Sequence, residues 1–350
     1  MIMGHGSYPL SFLGLRGAAA EVRSIWRKSR FIPATSLRVG IRSSGDLAFG
    51  FFRGASMTLP EVNELYPTDA RCRQLLQRLR WPNGVECPRC KDTRISTLKE
   101  YDRFECAACE YQFTVTAGTI FHDSHLPLPK WFLAVLLLCE ARKGMSANQI
   151  KRTLGVSYKT AWYLCHRIRA SMKEAHQMMD GVVEVDETYV GGKKKRGDVG
   201  FGRGVSNKEC VIGIRQRGGD LRFMRVSDIK ADTLYKLIHD NISEDVEVIV
   251  TDELPQYPYA MGSFKEKHKT IRHKEKYVEG MVHTNTVENA FSLLKRGIIG
   301  TWHRISAKHL PAYLDEMTFR FNRRKRSDLF LDTLRHMVTA PVLTFEKLTA

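Results

Sequence analysis

Hydrophobic positions follow a helical period in the first half of the chain and an extended period after residue 180. Apolar side chains recur on one face of residues 59–80, which predicts a helix there. Ser146 and Ser157 stand before two further periodic segments, where a serine side chain caps a helix well. The remaining predicted helices of this half are 130–142, 146–154 and 157–170.

The second half predicts a mixed α/β layer. Its predicted strands are Val182–Val190, 210–215, Leu221–Val226 and 246–251, with a weaker one at 269–273. Its predicted helices are 231–241, 286–296 and 309–322. Three successive strands followed by helix, strand and helix indicate a mixed sheet with flanking helices.

Composition shifts suggest where the domains begin and end. Residues 1–56 carry eight Lys or Arg and only two acids, with many Gly and Ser, so they are expected to be disordered or a spurious extension. The remaining predicted domains are a helix with a metal module at 57–125, a helical region at 126–178, an α/β domain at 179–335 and a C-terminal tail at 336–350.

The charge balance points to a polyanionic partner. Lys and Arg number 55 against 38 Asp and Glu, a formal charge of +17. Such an excess attracts nucleic acid, and the rival partner, an acidic membrane surface, lacks the amphipathic lysine-rich helix it would need. No apolar run approaches the roughly 20 residues that span a bilayer. DNA is the expected partner.

Four of the eight cysteines form one compact pattern. Cys87 and Cys90 make one Cys-x-x-Cys pair, and Cys106 and Cys109 make a second, with fifteen residues between the pairs. Four thiolates at this spacing can close a tetrahedron around one structural Zn²⁺, whereas two redox pairs would leave the duplication unexplained. The other four cysteines are scattered, which fits a reducing cytoplasmic interior rather than a disulfide framework.

Residues 146–162 have the spacing of a helix-turn-helix. Gly155 permits the turn, and the core would be formed by Ile150, Leu154, Val156 and Ala161. A helical hairpin that serves only packing remains the alternative. If the hairpin binds DNA, the start of its second helix faces the major groove, with Ser157, Tyr158 and Lys159 as contacts.

Two acids interrupt burial-prone strands, and a third lies on a later helix. Asp186 is inside the first predicted strand and Asp252 ends the fourth, where an unpaired carboxylate would be costly unless a cation offsets it. With Glu288 they could hold two Mg²⁺ or Mn²⁺ ions for phosphoryl transfer. Asn285 and Asn289 are rivals for the third position, and Glu288 is preferred for its full charge. Glu187 is expected on the opposite face of the strand from Asp186.

Basic residues near these acids suggest contacts to DNA phosphates. Lys295 is two helical turns beyond Glu288, on nearly the same face, and could hold a terminal phosphate. A basic loop follows the first strand, although such loops are often only solvated. His283 and His303 flank Glu288 in the sequence. They could assist proton transfer, or they could serve in packing or in DNA contact. The further expected DNA contacts are Lys193, Lys194, Lys195, Arg196 and Arg296.

Taken together, these motifs resemble bacterial insertion-sequence transposases of the ISXO-two-like group, over roughly residues 57–331. Asp186, Asp252, Glu288 and Lys295 resemble the DDE set of RNase H-like transposases. The resemblance implies an RNase H-like catalytic domain behind a zinc ribbon, and the inverted repeats of a mobile element as substrate. The stretches that carry it, beside the cysteine pairs, are 79–84, 113–121, 185–192, 283–288, 294–297 and 320–324.

The expected activity is direct transesterification of DNA. Water would attack a phosphodiester at the element end, and the freed 3′-OH would attack target DNA. Two other classes stay open: a zinc-ribbon regulator that binds DNA without cutting it, and a nuclease of the same fold that only hydrolyses. Because two DNA ends must be held together, a homo-oligomer is expected.

Overall fold

The computed structural model describes residues 56–98, 100, 102–191, 208–271 and 282–350. Residues 1–55 and the basic stretch Lys193 to Arg196 lie outside this part of the chain, so the expectations for them stay predictions. Within the described residues, no helix is both long and apolar enough to cross a membrane.

The first predicted helix is two helices. Helix α1 covers Leu59–Leu65 and α2 covers Asp69–Arg80. The prediction of one helix was wrong because Pro67 lacks the N–H that a continuous helix needs at that point. Thr68 then restarts the chain as an N-cap, its side chain accepting a hydrogen bond from the Arg71 N–H.

A three-stranded antiparallel sheet follows, with β1 at Ile95–Leu98, β2 at Arg103–Cys106 and β3 at Gln112–Phe113. Trp81, at the end of α2, packs edge-on against Phe104 and Phe113, with ring centroids 5.8 and 5.9 Å apart. These aromatic contacts form a small hydrophobic core between α2 and the three-stranded sheet.

The three helices predicted next are present with small shifts: α3 at Leu128–Glu140, α4 at Ala147–Leu154 and α5 at Tyr158–Ser171. Ser146 and Ser157 are the N-caps of α4 and α5, accepting from the N–H groups of Gln149 and Thr160. Gly155 ends α4 in the left-handed region, with φ of 61°. The hairpin geometry expected from the sequence is confirmed.

The α/β layer is a five-stranded mixed sheet, in the order β6-β5-β4-β7-β8. Strands β4, β5 and β6 pair antiparallel, whereas β7 and β8 run parallel to β4. The mixed sheet with flanking helices expected from the sequence is confirmed. Its strands are β4 Val182–Val190, β5 Glu209–Gln216, β6 Leu221–Val226, β7 Val248–Thr251 and β8 His268–Thr270.

Helices cover both faces of this sheet. Helix α6 (Ala231–His239) and the short α7 (Tyr257–Ala260) bury one face, together with a 3₁₀ segment at Gly262–Lys267. Helices α8 (Asn285–Gly297) and α9 (Leu310–Asn322) bury the other. Strand β5 alternates between these two cores, with Ile212 in the first and Val211 in the second.

The C-terminal segment is structured rather than a tail. Helix α10 (Leu329–Thr339) buries Leu334 and Met337 in the core that contains α2, α3 and α5, and α11 covers Phe345–Thr349. The prediction of a tail from residue 336 was wrong, because the apolar face of α10 completes a core whose other helices lie about 160 to 260 residues earlier in the chain. Helix α9 is joined to α5 by a buried ion pair, Arg169 Nε to Glu316 Oε2 at 2.6 Å.

Candidate active site and four-cysteine cluster

The four cysteines of the two Cys-x-x-Cys pairs converge at one point. Their Sγ atoms all lie within 4.8 Å of one another. Cys87 Sγ is 3.7 Å from Cys109 Sγ, and Cys90 Sγ is 3.5 Å from Cys106 Sγ. A tetrahedron with Zn–S bonds of about 2.3 Å has sulfur–sulfur edges of about 3.8 Å. The four thiols therefore fit one tetrahedral Zn²⁺.

Each Cys-x-x-Cys pair has the same backbone turn. The Lys91 N–H donates to the Cys87 carbonyl and the Glu110 N–H to the Cys106 carbonyl, both at 2.9 Å. Lys91 and Glu110 adopt φ of 67° and 54°, so the repeated geometry is independent of glycine. Burial alone would raise the pKa of Cys87, but backbone N–H groups of Cys90 and Arg89 outweigh it and lower that pKa to about 6. The first turn thus favours the Cys87 thiolate, the form of cysteine that binds zinc.

Asp186 and Asp252 meet at one edge of the five-stranded sheet. Asp186 lies within β4, and Asp252 directly follows β7, the parallel neighbour of β4. The register pairs Val185 with Thr251, so the next residue of each strand is an aspartate. Because parallel strands end at the same sheet edge, their carboxylates come within 4.8 Å, with Glu187 as a third member.

Glu187 was expected on the opposite face of the strand from Asp186, and the pairing of β4 with β5 agrees. Glu187 lies opposite Ile212, on the face that α7 covers. Asp186 lies opposite Gly213, on the face that α8 covers. The pairing of β4 with β7 stops at Val185, so beyond it the sheet edge is open on that side. Asp186 and Glu187 both reach Asp252 around this open edge. The Tyr257 hydroxyl donates to Glu187 Oε2 at 3.0 Å, and the Glu187 N–H donates to Asp186 Oδ1 at 2.8 Å.

The carboxylate cluster is crowded with negative charge. Burial, followed by the charges of Glu187 and Asp252, raises the pKa of Asp186 to about 8. Burial and Asp252 also raise the pKa of Glu187 to about 7. A bound cation would favour the ionised carboxylates and so oppose these shifts.

Glu288 lies near this cluster but is not one of the three mutually close acids. It is exposed in the first turn of α8, and its Oε1 accepts from the Thr284 hydroxyl at 2.8 Å. Its charge contributes to the raised pKa of Asp186, after those of Glu187 and Asp252. Its rivals Asn285 and Asn289 are also exposed on the same helix.

Glu184, two residues before Asp186, holds the helix that carries Glu288. Its fully buried carboxylate accepts from the Thr286 and Val287 N–H groups at 2.9 and 3.0 Å. A carboxylate at a helix N-terminus is favoured by the free N–H groups and by the helix dipole. Arg217 Nε donates to the other oxygen of Glu184 at 2.6 Å.

A glycine allows the same helix to approach the sheet. Gly213 of β5 pairs with Asp186, and a Cβ there would lie 2.8 Å from side-chain atoms of Val287 and Phe291. Sequence reasoning missed both Glu184 and Gly213. The sequence shows that Glu184 is a polar residue inside an apolar strand. It does not show that Glu184 binds the N-terminus of a helix about 100 residues later in the chain.

The remaining predicted contacts are dispersed. Ser157 caps its own helix, Tyr158 is 50% exposed, and Lys159 Nζ lies 4.5 Å above the Phe345 ring. Arg296 is exposed, with Nε donating to the Ser292 carbonyl. His283 contacts Arg217 and Glu184 rather than the acid cluster.

Comparison with known proteins agrees with this architecture. Residues 67–112 match the transposase zinc-ribbon domain, and residues 178–322 match the ISXO2-like transposase domain. The chain is also similar to an uncharacterized protein in transposable element ISH50 of Halobacterium salinarum. That relative is 28% identical over 266 residues, covering 71% of this chain and 89% of its own length. The chain therefore contains an ISXO2-like transposase domain, preceded by a transposase zinc-ribbon domain.

Proposed function

We propose that the protein cuts at the ends of a mobile DNA element and joins the freed 3′-OH ends to target DNA by two-metal phosphoryl transfer. The convergence of Asp186 and Asp252 at the open edge of the sheet is the observation that carries this proposal. A DNA strand can reach carboxylates at such an edge, whereas carboxylates inside the layer would be closed to it.

The residues present fit divalent cations. Asp186, Glu187 and Asp252 offer oxygen ligands within 4.8 Å of one another, and hard cations such as Mg²⁺ or Mn²⁺ prefer such ligands. Bound cations would activate the attacking hydroxyl and stabilise the charge that develops on the phosphate. Asp186 and Asp252 are the proposed shared ligands, and Glu288 is the proposed third.

The chain's own groups would position the DNA. Lys295, seven residues beyond Glu288, would hold a phosphate beside the site. Glu184 would keep α8 against the sheet, so that Glu288 stays near Asp186. In the zinc ribbon, Cys87, Cys90, Cys106 and Cys109 would hold one structural Zn²⁺, since four thiols leave no position for water.

DNA recognition is assigned to the N-terminal modules. Tyr158, at the exposed start of α5, together with Ser157 and Lys159, would contact the terminal repeats. Lys193, Lys194, Lys195, Arg196 and Arg296 remain proposed phosphate contacts. Joining requires two ends together, so we propose a homo-oligomer.

The test is incubation of the purified protein with Mg²⁺ and a labelled duplex that spans one end of the element. Joined products support the proposal, cut products alone indicate a hydrolytic nuclease, and bound but uncut DNA indicates a regulator.

Asp252→Asn should lower cleavage by about a thousandfold or more, because a cation ligand is lost while DNA binding persists. Glu253→Gln, a change at an exposed neighbouring acid, is the control and should cleave like wild type. Equal cleavage by wild type and Asp252→Asn would overturn the proposal.

A further inference from the structure

A groove with a volume of about 690 Å³ opens beside the end of strand β4. We call it the side groove. One wall is the end of β4 with the start of β5, and the other is the C-terminal part of α8 with the turn that follows it. The lining residues that matter here are Tyr189, Lys208, Lys295, Ile299, Arg304 and Ile305.

The side groove combines positive charge with apolar surface. Among the described residues, Lys208, Lys295 and Arg304 form no ion pair, whereas the one lining acid, Glu209, is neutralised by Arg225 at 2.6 Å. Ile299 is 74% exposed at the rim, an unusual position for a large aliphatic side chain. Cations around an apolar floor suit a ligand that has both phosphates and flat apolar faces.

The backbone that forms one wall is strained. Helix α8 continues into a π-helical turn, Ile298–Trp302, and His303 then adopts φ of 58° and ψ of −49°. The Arg304 N–H donates to the Trp302 carbonyl at 2.6 Å, which closes a γ-turn of the rare, strained kind. A relaxed helix end would be more stable than this one. π-Helical turns and strained residues therefore concentrate at functional sites, where function maintains them despite their cost in free energy.

The same turn also faces the helical hairpin. Thr301, Trp302, His303 and Arg304 line a second cavity of about 280 Å³ together with Tyr158 of α5 and residues at the start of α4. The turn at 301–304 is therefore a shared wall, with the proposed DNA-reading helix on one side and the side groove on the other. A DNA strand that runs from the helical hairpin to the carboxylate cluster would pass over this turn.

Chain geometry sets how far the side groove lies from the acids. Val190 is four residues beyond Asp186 on an extended strand, about 13 Å, and Lys295 is seven residues beyond Glu288 on a helix, about 10 Å. These spans correspond to at most about three to four nucleotides, because the duplex rise of about 3.4 Å is a lower bound for an unpaired strand. A concave groove of this volume has the size of a small-ligand site, so it admits a single nucleotide chain, whereas a duplex needs a broad open face.

We propose that the side groove binds an unpaired DNA strand a few nucleotides from the phosphodiester that reacts. Lys208, Lys295 and Arg304 contact its phosphates, and Tyr189, Ile299 and Ile305 pack against a base and its sugar. This inference rests on the proposed function, because it takes the carboxylate cluster as the place of reaction.

The test measures DNA binding without catalysis, in the absence of divalent cations. A fluorescent twelve-nucleotide single strand and the matching duplex are titrated into the full-length protein, followed by anisotropy at several salt concentrations. Arg304→Ala and Lys208→Ala should each weaken single-strand binding about five- to tenfold, because a charge-assisted phosphate contact is lost. Each should also reduce the logarithmic salt slope by about 0.7, the value for one released counterion on a single strand. Duplex affinity should change less than about twofold.

Two further variants keep this test decisive. Ile299→Asp should weaken single-strand binding without loss of thermal stability, because Ile299 is exposed. Lys236→Ala, at an exposed lysine of α6 outside the groove, is the matched control for lost charge and should bind both probes like wild type. Equal weakening of single-strand and duplex binding, or an unchanged salt slope, would overturn the inference. Since no cleavage is measured, a catalytically inert protein that still discriminates the two probes would refute the proposed function alone.

Discussion

The four-cysteine cluster and the carboxylate cluster differ in how the chain brings their ligands together. All four cysteines come from a stretch of 23 residues, and backbone N–H groups of the first turn favour the Cys87 thiolate. Asp186 and Asp252 are about 66 residues apart in sequence, and burial together with neighbouring acidic charge raises the pKa of Asp186 and of Glu187. The ribbon thus builds its ligand set locally, whereas the acidic site depends on the whole sheet.

The difference also concerns access. Four thiols close a tetrahedron, so a metal there has no position left for a reactant. The acids lie at an open sheet edge with a groove beside them, so ions held there can share a substrate. The cysteine cluster is thus local and closed, whereas the carboxylate cluster is assembled from distant segments and is open to a substrate.

The largest expected effect is on the local cluster. Cys106→Ser should abolish binding of one zinc per chain and unfold the ribbon, because the free energy of zinc binding, about 10 kcal/mol or more, is also folding free energy there. Metal content and the melting profile measure this. Cys165→Ser, at a buried cysteine outside the cluster, should keep its zinc. If Cys106→Ser retained its zinc, the four cysteines would not form the closed four-ligand site on which the comparison with the carboxylate cluster depends.

The next effect tests the third acid of the distant site. Glu288→Gln should lower Mg²⁺-dependent cleavage about a hundredfold, because a charged ligand is replaced by a neutral one. Asn285→Ala and Asn289→Ala, on the same exposed surface of α8, should each change the rate less than about fivefold. If an asparagine change is the more damaging, the assignment of Glu288 is wrong. If all three cleave normally, Glu187 becomes the third ligand.

The smallest effect is on stability and follows from charge crowding. The pKa of Asp186 is raised from 3.8 to about 8, so the folded state binds this proton more tightly than the unfolded state. The free energy of unfolding of the metal-free protein should therefore fall as pH rises from about 4 to 8. Asp186→Asn removes this loss.

Thermal melts of metal-free protein at several pH values test that expectation. At pH 8, Asp186→Asn should melt a few degrees above wild type, and the difference should vanish near pH 4. Saturating Mg²⁺ should stabilise wild type more than the variant, because the cation offsets the crowded charge. A variant that melts below wild type at pH 8 would show that the carboxylate is compensated without metal.

Sequence reasoning was most accurate where the information is local. Strands Val182–Val190 and Leu221–Val226, the caps Ser146 and Ser157, and the cysteine pairs follow from neighbouring residues, and each is present. The break at Pro67 had a local signal too, since proline removes a helical N–H, but the apolar periodicity on both sides obscured it.

What depends on distant partners could not be predicted. The inclusion of Glu187 in the carboxylate cluster depends on where β7 stops pairing with β4. The role of Glu184 depends on the N-terminus of α8, and the burial of α10 depends on helices formed by the first third of the described chain. Periodicity shows that a face is apolar, but it does not identify the surface that the face will contact.

The position of helix α10 has a consequence for biosynthesis. Its residues Leu334 and Met337 complete a core with helices near the start of the described chain, so that core stays open while the ribosome is still making the α/β domain. Contacts between segments so far apart in sequence form late and slowly. The core shared by α2, α3 and α5 therefore closes only after residues 329–339 have left the ribosome, by which time the α/β domain has also been synthesised.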